Sequence, residues 1–172
     1  MSSLKRIKNK LIAKLITRFP SLSKRFTESY APWEAEDTPW TPVTRLLRDC
    51  KVAVVTTAGV HQRDQEPYNM KDPNGDPSYR EIDGLLPVEE LMITHDYYDH
   101  ADADKDINIV FPIERLREFQ REVLIGRVAE RHFGFMGHID GPHIKTLIEK
   151  TGPEVAEMLR EDGVDVVVLT PG

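Results

Sequence analysis

From position 51 onward, hydrophobic positions alternate between short β-branched runs and stretches with helical spacing. Val52-Ala53-Val54-Val55-Thr56-Thr57, followed by Ala58-Gly59, predicts a first buried strand opening into a turn. Leu91-Met92-Ile93-Thr94 predicts a second strand, residues 128–135 a further one, and residues 164–169 a last buried strand. Between them, Pro112 opens a predicted helix whose apolar face is Ile113, Leu116, Phe119, Val123 and Leu124, ending at Gly126. Thr151 and Glu154 have capping-box spacing for a helix through Met158 and Leu159 that closes near Gly163. The polar stretch from Gln62 to Asp83, with turn signals from Asp72 to Pro77, predicts an excursion near the sheet edge. Strands alternating with helices predict an α/β fold, a mostly parallel sheet flanked by helices.

The first 42 residues read differently. Leu4, Ile7, Leu11, Ile12, Leu15, Ile16 and Phe19 recur at helical spacing, which predicts an N-terminal amphipathic helix ending before Pro20. A Trp/Pro-rich arm follows, with Trp33 and Trp40 expected to pin it by burying indole area. The expected division is therefore 1–42 for helix and arm and 43–172 for the α/β domain. The helix is expected to pack on its own body or on a partner subunit; contact with an anionic membrane surface is the alternative.

Charge sharpens this division. The net charge of the 172 residues is −6, yet residues 1–25 hold eight Lys or Arg and no acid, so the rest is strongly acidic. An acidic body argues against nucleic acid as a partner, because a duplex binder needs a basic face to displace counterions. No run approaches a membrane span, so the expected compartment is the cytoplasm. The single cysteine, Cys50, excludes an intramolecular disulfide and a thiolate zinc cage, and its place before the first strand predicts an inert thiol.

Thr94-His95-Asp96-Tyr97-Tyr98-Asp99-His100 is similar to the metal run of metallo-β-lactamase-fold hydrolases, but Tyr97 stands where a second histidine would ligate zinc. Asp102, Asp104 and Asp106 have the first spacings of a calcium loop, with Ile107 and Ile113 at the glycine and closing glutamate positions. No resident metal is therefore expected, and the run is expected to be either a hydrogen-bonded loop capping the next helix or a pocket lining. His138 and His143, among Gly137, Gly141 and Pro142, are expected in a surface turn.

In open α/β sheets, chemistry sits just beyond the carboxyl ends of strands. The expected pocket is Thr57, Gly59, His61, His95, Asp99, His132 and Thr170, with His61 and His95 proposed for proton transfer or carboxylate contact. His61 and His132 also have the simpler reading of satisfied polar residues. The last predicted strand runs into Thr170-Pro171-Gly172, where the sequence stops, so the chain is expected to have lost, or never had, its likeliest reactive residue.

Several stretches, in order, carry a resemblance: Pro39 to Arg45 (PWTPVTR), Val54 to His61 (VVTTAGVH), Gly75 to Ile82 (GDPSYREI), Asp104 to Arg117 (DKDINIVFPIERLR), His132 to Gly137 (HFGFMG) and Gly152 to Gly172 (GPEVAEMLREDGVDVVVLTPG). Together they resemble the selenoprotein B family of glycine, sarcosine, betaine and D-proline reductases, most nearly the D-proline type. The resemblance implies a reductase of carbon–nitrogen bonds with a dithiol–disulfide couple. It implies a selenocysteine or cysteine directly after Gly172, encoded at a UGA codon where it is selenocysteine, so that this chain is expected to be a truncated subunit. It also implies a pyruvoyl group on a partner subunit, with no cofactor in this chain, and an external dithiol or redox protein. A metal-dependent hydrolase and a non-catalytic interaction protein on the same scaffold are the two rival readings.

Overall fold

The computed structural model describes residues 3–19 and 41–172. It forms two compact units, one of Met1–Thr44 with Asp96–Asp99, the other of Arg45–His95 with His100–Gly172. The smaller unit holds helix α1, Ser3–Arg18, in which Ala13 is buried while Ile7, Leu11 and Leu15 stay exposed. Lys10 Nζ lies 3.6 Å from an Asp96 carboxylate oxygen. The expected arm, with Trp33 and Trp40, lies outside the described residues.

The larger unit is built around β1, Lys51–Thr56. On one side it pairs in parallel with β7, Val166–Thr170, Val52 to Thr56 matching Val166 to Thr170. On the other side the neighbour is interrupted: β5, Arg127–Val128, meets Lys51 and Val52, and β6, Arg131–Phe135, meets Val55 and Thr56. β3, Tyr79–Asp83, pairs antiparallel with β6 at the sheet edge. A separate antiparallel pair consists of β2, Val60–Gln62, and β4, Leu91–Ile93.

Two layers flank the parallel sheet. Ala53 and Phe133 cluster with Val155 and Leu159 of helix α4, Gly152–Glu161. Successive strand residues face opposite ways. Thr56 accordingly turns to the other face, where its hydroxyl donates to the Val110 carbonyl at 2.9 Å. Val110 leads into helix α2, Ile113–Arg121, with Ile113 and Leu116 buried. α4 is preceded by helix α3, Pro142–Thr146, and a wider helical turn, Leu147–Thr151.

The fold class is the expected one, and its details correct the sequence reading. Residues 128–135 form two strands rather than one, because the chain detours at Ala129 and Glu130. The stretch from Gln62 to Asp83 contains β3, whose Arg80, Glu81 and Asp83 mask a strand in sequence but suit an edge. The expected second strand pairs with β2 outside the parallel sheet. α2 stops at Arg121, since Val123 takes a left-handed φ of 59° and, with Leu124, remains exposed. Thr151 caps no helix: the helical path already begins at Pro142, and the Thr151 side chain is buried with its hydroxyl unpartnered. His143 accordingly sits in α3 rather than a turn, with Nε2 3.1 Å from Asp72. The last strand is not buried on both faces. Leu169 is 74% exposed, because among the described strands β7 pairs with β1 alone.

Candidate functional site at the strand ends

Beyond Thr56 the chain is stitched to its neighbours through the backbone. Thr57 N–H donates to the Thr170 carbonyl at 2.9 Å, and Gly59 N–H to the Phe135 carbonyl at 2.9 Å. Thr94 N–H donates to the Gly59 carbonyl, also at 2.9 Å. The segments that follow β1, β4, β6 and β7 thus meet at one rim. Such close approach requires glycine. Gly59 and Gly137 have φ of 75° and 85°, and a Cβ on either would run into the Thr94 or Thr57 carbonyl. A Cβ on Gly172 would meet the Ala58 backbone, so the carboxyl end of β7 lies against the turn that follows β1. The Thr170 hydroxyl donates to the Val110 carbonyl at 2.6 Å, tying this rim to the segment before α2.

Of the expected pocket residues, Thr57, Gly59, His95 and Thr170 come together here. His95 is buried, its Cβ 3.2 Å from the place a Gly59 side chain would take. It does not, however, follow a strand of the parallel sheet, because β4 belongs to the smaller pair. Asp99 lies in the segment Asp96–Asp99, which belongs to the other unit. His61 is fully buried behind the rim. Its Nδ1 lies 2.7 Å from the Gln62 carbonyl and its Nε2 2.8 Å from the Thr94 hydroxyl. Tyr68 packs edge-on against the ring at 5.8 Å. Burial lowers the His61 pKa from its ordinary value and favours the neutral ring.

His132 sits in the sheet interior, away from this rim. Where the neighbour of β1 is interrupted, the Val54 N–H has no strand carbonyl to meet, and it donates instead to His132 Nδ1 at 2.9 Å. Burial pushes the His132 pKa down to about 4. Sequence reading missed Thr94 as a site residue. It closes an apolar run and reads in sequence as the start of the metal-like motif that follows; its contact with Gly59 and His61 is made only by the antiparallel pairing of β2 and β4.

Asp102, Asp104 and Asp106 have local partners. Asp102 bonds Lys105 at 2.7 Å, Asp104 bonds His100 at 2.8 Å, and Asp106 accepts from the Asn108 N–H at 3.0 Å, capping the turn before α2. Lys105 and Asn108 draw the Asp102 and Asp106 carboxyls below their usual pKa. Among the described residues no group of His, Cys, Asp and Glu is arranged to hold a metal ion. Cys50 is fully buried at the amino end of β1, its thiol 3.3 Å from the Leu46 carbonyl. A separate cleft of about 600 Å³ runs beside β4, lined by Arg63, Leu91, Ile93, Asp104 and Lys105 among others, and contains none of the expected pocket residues.

Residues 5–172 match the family model for glycine/sarcosine/betaine reductase selenoprotein B. The chain belongs to this family. Among curated relatives, D-proline reductase subunit gamma of Acetoanaerobium sticklandii is 45% identical over 133 residues, 77% of this chain and 53% of that protein. Sarcosine reductase complex component B subunit beta of Peptoclostridium acidaminophilum is 26% identical over 149 residues, 86% of this chain and 34% of that one. Glycine reductase complex component B subunit gamma of Symbiobacterium thermophilum is 26% identical over 148 residues, 84% and 34%. The chain therefore spans about half the length of the first relative and about a third of the others. No solved structure matches it. Its relatives are subunits of multi-subunit reductase complexes.

Proposed function

We propose that this chain forms part of a reductase subunit that cleaves a carbon–nitrogen bond of an amino acid or related amine, with D-proline the first substrate to try. The observation that carries the reading is the convergence of four strand ends on a rim where Gly172 lies against Ala58. By family resemblance, the reactive selenocysteine or cysteine directly follows Gly172, which sets it on that rim. A selenolate is ionised at neutral pH and attacks carbon, by extension of thiolate behaviour. The electron pair of the selenolate forms the carbon–selenium bond as the carbon–nitrogen pair leaves with the nitrogen, which takes up a proton. A second thiol then attacks the selenium, closing a selenenyl sulfide and leaving the carbon reduced and protonated, and an external dithiol returns the two electrons.

The pyruvoyl group belongs, on this reading, to a partner subunit, where it would draw electrons from the carbon under attack. No residue of this chain is assigned to hold it. What the chain contributes is a rigid frame: Thr56 and Thr170 fix the Val110 carbonyl from two strands, and the glycines let the backbone segments of the rim pack against one another. The cytoplasm fits this chemistry, since dithiols stay reduced there.

The test is dithiol-dependent D-proline reduction by the full-length subunit with its partner. Replacing the residue after Gly172 by alanine should abolish turnover. Retention of activity in that variant overturns the assignment.

A further inference from the structure

We propose that Thr94 is a specificity-determining residue whose hydroxyl, held by His61, only accepts hydrogen bonds and therefore selects a substrate that carries an N–H donor. The inference rests on the reading that the substrate is an amine.

The argument is a proton count. A carbonyl oxygen has no hydrogen to give, so at 2.7 Å from the Gln62 carbonyl His61 Nδ1 carries the ring proton and donates it. A neutral imidazole has one proton, so Nε2 is a bare acceptor. The contact of 2.8 Å between Nε2 and Thr94 Oγ1 then needs a hydrogen, and only the threonine hydroxyl has one. The Thr94 proton is spent on His61, which leaves Oγ1 only its lone pairs to offer. His61 is held in this role: it is fully buried, Tyr68 packs against the ring, and β2 fixes its backbone opposite Met92.

Thr94 itself is half-buried rather than closed off, and its backbone is bonded to Gly59 at the rim. A half-buried acceptor with no proton to offer favours an ammonium or amine N–H. It gives nothing to a carbonyl or carboxylate oxygen, which would meet its lone pairs. A quaternary ammonium brings no N–H and gains no such bond. This arrangement separates Thr94 from Thr170. Thr170 spends its hydrogen on the Val110 carbonyl inside the fold, whereas Thr94 spends its own on a histidine whose tautomer fixes what remains.

Two measurements test this. Nitrogen-15 NMR of the ring nitrogens in the full chain should show His61 as the Nδ1–H tautomer near neutral pH. In Thr94→Val, its Nε2 resonance should shift as the hydrogen bond is lost. A His61 carrying its proton on Nε2 overturns the inference. In the reconstituted complex, Thr94→Val should raise the KM for D-proline about tenfold, the loss of one hydrogen bond to a charged group, with kcat changed less than about twofold. Thr94→Ser should restore KM. N,N-dimethylproline, which has no N–H, should inhibit wild type and Thr94→Val equally. An unchanged KM in Thr94→Val also overturns it. Absence of amine turnover by the wild-type complex overturns the reductase reading and with it the substrate half of this one, while the NMR result judges the His61–Thr94 pair on its own.

Discussion

His61 and His132 are both fully buried, both have pKa values lowered by burial, and yet they do different things. His132 stands in the sheet interior and accepts the Val54 N–H through Nδ1, which leaves its proton on Nε2, facing Ala129 without a well-formed hydrogen bond. His61 stands behind the strand ends, gives its Nδ1 proton to the backbone and accepts from a side chain. The two rings therefore hold opposite tautomers. In the interior an imidazole substitutes for a missing rung of the ladder. At the rim it fixes where the hydroxyl of a half-buried threonine gives its proton. The difference teaches that burial does not separate structural from functional histidines; what the second nitrogen touches does.

The comparison breaks most severely if the rim is not rigid. Gly137 has a left-handed φ of 85°, and a Cβ there would collide with the Thr57 carbonyl, a backbone atom that cannot swing away. Gly137→Ala is expected to cost about 3 kcal/mol or more, combining backbone strain with overpacking. Chemical denaturation measures the loss. A change below about 1 kcal/mol would mean that the rim yields, and the proposed placement of the reactive residue would lose its support.

The interior half is tested next. His132→Ala removes the acceptor of a buried N–H and leaves a cavity beside Phe111, whose ring lies 5.7 Å from the imidazole. About 3 kcal/mol should be lost. Acid sharpens the point. The unfolded imidazole titrates near 6.5 and the folded one at about 4, so the stability it supports is complete above pH 6.5 and drains away as pH falls toward 4. The gap corresponds to roughly 3 kcal/mol. His132→Gln, which keeps an acceptor for Val54, should flatten much of that decline and leave the slope of His61 and, near pH 4, of carboxylates such as Asp76 and Glu130, whose pKa values are also lowered. Unfolding midpoints measured from pH 7 to pH 4 decide it.

Much of the parallel sheet was legible in the sequence, for a physical reason. β1 is buried on both faces and so reads as an unbroken apolar run, and Gly163, with φ of 68°, ends α4 as expected. β3 was not legible, because an edge strand needs no alternation when charges suit its exposed side. The interruption at Ala129 and Glu130 was hidden as well, since a side chain rather than the backbone repairs the ladder there. For the site, Thr57, Gly59, His95 and Thr170 could be grouped from strand ends alone. Thr94 could not, since its role depends on a histidine 33 positions away across an antiparallel pairing that periodicity does not encode.

The smallest expected effect concerns Cys50. Its thiol is fully buried, precedes β1 and bonds the Leu46 carbonyl. Serine keeps a donor at the same place and shortens the side chain only slightly, so Cys50→Ser should cost no more than about 1 kcal/mol. It should leave D-proline turnover by the reconstituted complex unchanged. β1 spans six residues at roughly 3.3 Å each, which puts about 20 Å between this thiol and the strand ends. A group that far away, enclosed in the fold, cannot reach a carbon at the rim or exchange electrons with a sulfur or selenium there. Loss of turnover in Cys50→Ser, with stability intact, would move the redox centre to the opposite end of the sheet and reverse the contrast between a structural interior and a reactive rim.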